Sequence, residues 1–299
     1  MQKISYRKCR VKDLAPASRM IKKTIFALRR KTGKEMKPWR IPRHPTPLAT
    51  DILRRNPGTL YCAWKNNKLV GYAGAYVNGL QWYLCWLFVD PKLQEKGVGR
   101  KLLEKVWRDK KGMTHSLSTF AFNPKAIGLY SQFGMVPLCD LPWLKADPKK
   151  IGDLPKTELV IIDKPNRDDV KWLHSLEEKI RGYSHPQHWG IWLHSKPCKF
   201  YLFKKGGRRV GYCLITNDLF IGPVGVIYQE YMIDVMTEAI RLIHPKKGAK
   251  IMLWCPTLNI ALYRYLINLG FRVDEIEIFM SDAPYPDWQR YVPASLAIL

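Results

Sequence analysis

Residues 84–106 read LCWLFVDPKLQEKGVGRKLLEKV, and this stretch limits the possible folds more than any other. An apolar run, Leu84 to Val89, stops at Asp90-Pro91. A short basic loop follows with glycines at Gly97 and Gly99. Val98, Leu102, Leu103 and Val106 then fall on one face of a helical pattern. Strand, glycine turn and helix start together make a local shape that binds phosphate. The first-turn N–H groups of a helix have no intrahelical acceptor, and the helix dipole favours an anion there. Glycine lets the backbone approach that anion closely. The loop is not a Walker loop, which needs Gly-Lys-Ser/Thr after a four-residue gap. Nor is it the dinucleotide fingerprint, because Lys101-Leu102 stands where the third glycine would be.

Gln94, Gly97 and Gly99 follow Val89-Asp90-Pro91 in the order Gln-x-x-Gly-x-Gly after a strand. This resembles the acyl-CoA loop of the GCN5-related N-acetyltransferases. Downstream, HSLSTFAFNPKAIGLYSQFGMV (115–136) places Asn123-Pro124 at a helix start and Gly134 at its end. Asn123, Tyr130 and Gly134-Met135 match the same family's pattern. The resemblance implies acetyl-CoA as co-substrate. Leu87, Phe88 and Val89 would offer strand-edge amides to it. Gln94, Glu95, Lys96, Gly97, Val98, Gly99 and Arg100 would cradle its pyrophosphate. Asn123 would contact it, and Tyr130 would protonate the departing thiolate. Read without the resemblance, Tyr130 is a buried aromatic that anchors its helix.

The remainder of the chain bears on partners and compartment. The net charge of +25 is uneven: residues 1–150 hold 31 Lys/Arg against 9 Asp/Glu, net +22, and residues 151–299 hold 19 against 16, net +3. Such an excess reads as a solvated surface, or as attraction to nucleic acid or another acidic acceptor. No apolar run reaches the ~18 residues of a membrane span. The N-terminus has no apolar signal core, so a cytoplasmic protein without a membrane partner is expected. Seven cysteines are scattered with no Cys-x-x-Cys, and they read as buried thiols. His185, His188 and His194, with His174 upstream, lack a carboxylate or Cys to complete a familiar ligand set, so no metal is expected.

The order of elements read from residues 1–145 is β-α-α-β-β-β, glycine loop, α-β-α-β. The elements are a strand over 4–11, helices over 15–31 and 48–55, and strands over 60–64, 69–77 and 80–89. A linker is expected over Leu141–Pro155. The second half reads as a faded copy. NIALYRYLINLGF (259–271) aligns Asn259 on Asn123, Leu266 on Tyr130 and Gly270-Phe271 on Gly134-Met135. Gly211-Tyr212 repeats Gly71-Tyr72, and Ile221–Gly225 falls where a cofactor loop would lie. This half resembles the C-terminal domains of two-domain bacterial acetyltransferases. The expected fold is therefore α/β (α+β): two tandem acetyltransferase-like folds, each a mixed, mostly antiparallel sheet flanked by helices. The domains expected are a catalytic one over 1–145 and a degenerate one over 156–299, where Leu266 cannot donate a proton.

The general base is the gap in the pattern. Cys85 and Ser118 stand where family members place a Glu. Water relay, His44, Asp51 or an acceptor that arrives deprotonated would each fill it. Cys85 reads as a buried thiol more readily than as an acyl-carrying nucleophile. Trp82, Tyr83 and Trp86 read as core residues, with one face available to an acceptor. The expected activity is N-acetylation of a small-molecule primary amine. The alternatives are acetylation of a macromolecular amine (a protein or aminoacyl-tRNA), and acyl-CoA or nucleic-acid binding without turnover.

Overall fold

A computed structural model describes residues 3–31, 46–183, 186, 189, 198–244 and 248–297. The chain forms two compact units, residues 1–117 and 118–299. In the first, β1 (Ser5–Lys8), β2 (Leu60–Lys65), β3 (Lys68–Asn78) and β4 (Gln81–Val89) pair antiparallel in that order. β5 (Thr114–Phe120), inside which the division falls, pairs parallel with β4. Bulky and β-branched residues favour these strands, and Asn66 and Asn67 supply the hairpin turn with φ of 50° and 57°. β1 is shorter than the periodicity suggests because the chain turns into a 3-10 segment at Val11–Asp13. Asp13 holds that turn. It accepts the Arg10 N–H at 2.8 Å and a two-pronged bond from Arg7 at 2.6 and 2.9 Å. Burial pushes the Asp13 carboxyl up, but these donors outweigh it and leave the group below its ordinary range.

Helices α1 (Leu14–Arg30) and α2 (Pro47–Arg55) precede the β2–β3 hairpin, and α3 (Val98–Val106) crosses β2 and β3. The α3 stripe of Val98, Leu102, Leu103 and Val106 is buried, as its spacing predicts. Gly71 makes the close approach possible: a Cβ there would lie 2.7 Å from Leu102 Cδ1. Trp82 is fully buried at the far end of α3, donating Nε1–H to the Val106 carbonyl at 3.0 Å. It is therefore a core residue and not part of an acceptor face.

The second unit contains α4 (Pro124–Ser131), β6 (Val136–Ala146), β7 (Val160–Ile162), α5 (Arg167–Arg181), β8 (Cys198–Lys205) and β9 (Arg208–Thr216). β10 (Ile221–Val226), α6 (Tyr231–Arg241), β11 (Ile251–Trp254), α7 (Ile260–Asn268), β12 (Arg272–Ser281) and β13 (Tyr291–Val292) complete it. β6 pairs antiparallel with both β12 and β11. Leu141–Ala146, at the start of the linker expected over Leu141–Pro155, thus continue a strand. An antiparallel sheet is ordered β13-β10-β9-β8-β7. The two folds are mixed α/β arrangements with mostly antiparallel sheets, as expected.

The internal repeat is visible in backbone detail. A register shift falls between Ala63 and Trp64 opposite β3, and another between Phe203 and Lys204 opposite β9. Gly71 faces Ala63 and Gly211 faces Phe203. A Cβ on Gly211 would lie 2.9 Å from Val235 of α6, as one on Gly71 would meet Leu102 of α3. Ile221–Gly225, expected as a loop, is instead the buried strand β10. Among the described residues no helix is long and apolar enough to cross a membrane. Replacing Gly71 or Gly211 with Val should cost about 1–3 kcal/mol by overpacking against the crossing helix. Thermal unfolding reads this, and an unchanged Tm in both variants would contradict the packing described.

Candidate active site

The glycine loop is built from the end of β4 outward. β4 and β5 pair over Gln81–Leu84 against Thr114–Leu117. Opposite β3 the register shifts between Leu84 and Trp86, so Cys85 is an extra, bulged residue. Leu87, Phe88 and Val89 lie beyond the pairing with β5 and face Ala73, Tyr72 and Gly71 on β3. A bulge increases local twist and helps turn a strand end away from its neighbour. The Cys85 thiol is buried and pushed up by that burial, which leaves it a poor nucleophile.

Asp90 then caps a 3-10 turn at Pro91–Leu93 and pairs with Lys23 at 2.7 Å. Burial raises the Asp90 carboxyl, and the Lys23 and Lys92 N–H bonds bring it below its ordinary range. Gln94 donates Nε2–H to the Val89 carbonyl at 3.3 Å, tying the loop to the strand end. Glu95 and Gly97 adopt left-handed φ of 65° and 75°, and Gly97 is the N-cap of α3. A Cβ on Gly97 would meet nothing within 4 Å, so its face is open. The first turn of α3 carries no acidic residue, and Lys96, Arg100 and Lys101 surround it in sequence. Val98 is buried beneath the turn and Gly99 is half-buried. The result is a helix N-terminus with open approach.

Asn123 and Tyr130 belong to the second unit. Asn123 caps α4, its side-chain oxygen accepting the Ala126 N–H at 3.4 Å. Tyr130 lies near the end of α4 and is 6% exposed. Burial raises its phenol well above the ordinary value, so it keeps its proton. Gly134 leaves the helix at φ 90°, and the Met135 N–H returns to the Tyr130 carbonyl at 3.3 Å. The second copy repeats each step. Asn259 caps α7 through the Leu262 N–H at 3.1 Å, Gly270 has φ 102°, and the Phe271 N–H returns to the Leu266 carbonyl at 3.0 Å. Leu266, fully buried, stands in place of the tyrosine.

The copies differ at the helix that follows the fourth strand, α3 after β4 and α6 after β10. α6 starts after Ile227-Tyr228-Gln229-Glu230, a segment without glycine. Its N-cap Glu230 makes no side-chain cap, and Asp234 lies in its first turn. Two carboxylates thus oppose an anion at α6, where α3 has cations. Asp51 is buried on α2 with Oδ1 accepting from Arg54 at 2.9 Å and Arg55 at 2.8 Å. Ser118 is half-buried on β5, and His174 lies on α5. His44, His185, His188 and His194 lie outside the described residues.

Residues 26–135 match the acetyltransferase (GNAT) family. That span contains the capped glycine loop, Asn123 and Tyr130. Residues 26–135 belong to the GNAT acetyltransferases. The whole chain also matches solved GNAT structures. A GCN5-related N-acetyltransferase from Sphaerobacter thermophilus is 18% identical, with a TM-score of 0.62 over 96% of this chain and 98% of that one. A tandem GNAT protein from the clavulanic acid biosynthesis pathway is 14% identical, with a TM-score of 0.58 over 95% of this chain and 100% of that one. A Pyrococcus horikoshii protein is 15% identical, with a TM-score of 0.72 over 100% of this chain and 96% of that one. At these identities the likeness concerns the fold, and it is a tandem GNAT fold. No match was found among curated protein sequences. Asn123→Ala and Asn259→Ala should each cost about 0.5–2 kcal/mol through loss of an N-cap. Urea unfolding measures it. A variant pair in which only one substitution is destabilising would contradict the equivalence of the two caps.

Proposed function

We propose that this GNAT enzyme transfers an acetyl group from acetyl-CoA to a small-molecule primary amine, with a catalytic domain over 1–145 and a degenerate one over 156–299. The observation that carries the reading is the α3 N-terminus. It is an open, glycine-capped helix start whose first turn carries no acid, with Lys96, Arg100 and Lys101 beside it in sequence, and these features suit a pyrophosphate. Acetyl-CoA, when bound, supplies an acetyl group activated as a thioester. Backbone N–H groups of residues 97–100 bind and orient the phosphates, while Lys96 and Arg100 add charge. Glu95 takes part through its left-handed backbone, which shapes the cradle, and Gln94 holds the loop on Val89.

The strand end at Leu87–Val89 offers backbone groups to the pantetheine arm, and the Asn123 amide offers a further polar contact. Tyr130 holds a proton on its phenol oxygen and delivers it to the departing sulfur. Its burial keeps the phenol neutral throughout the physiological range, so no titration of Tyr130 limits activity on the alkaline side. The α6 start, with Glu230 and Asp234, supports acetyl-CoA binding by the first domain alone.

Tyr130→Phe should lower kcat by about 10²–10⁴-fold with little change in KM for acetyl-CoA. Thiol release in steady state tests this, and a variant with near wild-type kcat would remove Tyr130 as the acid. For a small amine, kcat/KM should stay within a few-fold between low and physiological ionic strength, because steering of a singly charged acceptor is weak. A drop of an order of magnitude or more would point to a polyanionic acceptor drawn by the +22 half of the chain.

A further inference from the structure

Cys9, Asp13 and Cys62 offer two sulfurs and a carboxylate oxygen that all lie within 4.8 Å of one another, and all three residues are buried. They come from separate pieces of the first unit. Cys9 follows β1, Asp13 ends the 3-10 turn before α1, and Cys62 sits in the middle of β2. The antiparallel register converges them: Arg7 faces Cys62, and the Cys9 N–H bonds the Leu60 carbonyl at 2.8 Å. Cys9 and Cys62 are thus diagonal neighbours across the strand pair. We propose that Cys9, Cys62 and Asp13 form a binding site for a thiophilic d10 divalent cation, with Zn²⁺ the expected occupant. It is independent of the acetyl-transfer site.

Three properties of the cluster suit a metal. The first is the donor set. Two thiolates and a carboxylate suit Zn²⁺, and at a Zn–S distance of about 2.3 Å tetrahedral sulfurs sit roughly 3.8 Å apart. The spacing within the cluster accommodates that with a small inward movement. The Arg10 carbonyl, 3.5 Å from Cys9 Sγ, places a further oxygen close by. The second is charge. Binding exchanges one M²⁺ for two thiol protons, which leave to solvent; two metal–sulfur bonds form, and no electron changes hands. Asp13 and Arg7 already cancel each other, so the buried site keeps the same net charge when loaded. That matters because an uncompensated buried charge is expensive.

The third is the carboxylate's support. Asp13 accepts from Arg7 through both oxygens and from the Arg10 N–H through Oδ2, three bonds for about four lone-pair positions. One acceptor position remains for a metal. Ligating carboxylates are characteristically held by outer hydrogen bonds of this kind. The Arg7 guanidinium is itself seated 4.8 Å over the Trp64 ring. A closed, buried site of this kind is structural: it would clasp the end of β1, the start of α1 and the middle of β2.

The test uses the full-length chain, reduced and metal-free, titrated with Co²⁺ as a spectroscopic stand-in for Zn²⁺. The expected result is one Co²⁺ per chain, with a thiolate-to-cobalt charge-transfer band that Zn²⁺ abolishes by displacement. Cys9→Ser and Cys62→Ser should each lose the band. Cys255→Ser, at a buried thiol of the second unit, should keep it. Zn²⁺ should raise Tm in wild type and in Cys255→Ser only. Because Cys62 lies in the core, circular dichroism checks each variant's fold, and the wild-type titration stands by itself if Cys62→Ser does not fold. A fully reduced wild-type chain with no charge-transfer band overturns the site. So does a band that persists in both Cys9→Ser and Cys62→Ser, which would mark adventitious binding elsewhere.

Discussion

Backbone amides that a sheet would consume are freed where β4 runs past its pairing with β5. The Cys85 bulge sits at that point, and Leu87–Val89 continue along β3 alone. The chain then reverses through the Asp90-capped turn, is pinned by Gln94 on the Val89 carbonyl, and enters α3 through a left-handed glycine. Each step depends on the one before. If β4 stayed paired to its end, its last amides would be spent on β5. If Gly97 carried a bulky side chain, the positive φ and the open approach to the first turn would both be compromised.

The two halves of the chain share a set of backbone features and differ at particular side chains. The N-cap asparagine, the left-handed exit glycine and the returning N–H recur at 123–135 and 259–271. Those features are hydrogen bonds that satisfy the two ends of each helix. The tyrosine does not recur: Leu266 fills its place with full burial. The helix start after the fourth strand changes from a glycine-capped turn without acids to one carrying Glu230 and Asp234. The caps follow from helix formation, which both halves share, and the residues that differ are not needed for it.

Much of this was legible from residue order. Glycines at 97 and 99 after an apolar run, and Asn-Pro before an apolar face, are local signals whose physics acts within a few residues. The GNAT family was reachable for the same reason. What was not legible depended on pairing between distant segments. Leu141–Pro142 look like the start of a linker, yet β12 and β11 pair with β6 and draw Leu141–Ala146 into a sheet. Ile221–Gly225, with two glycines and a proline, looks like a loop, yet it is buried strand between β9 and β13. Cys9, Asp13 and Cys62 are separated by up to 53 positions in numbering and share no motif; only the β1–β2 register gathers them. Trp82 shows a different limit, since its alternation fits both a core and a cleft until α3 is seen above it.

Amide hydrogen exchange on the full-length chain, with and without acetyl-CoA, addresses the central claim most directly. The account predicts added protection at residues 87–89 and 97–101, and none over 227–234 in the second domain. Protection at the α6 start, or none at the α3 start, would contradict it.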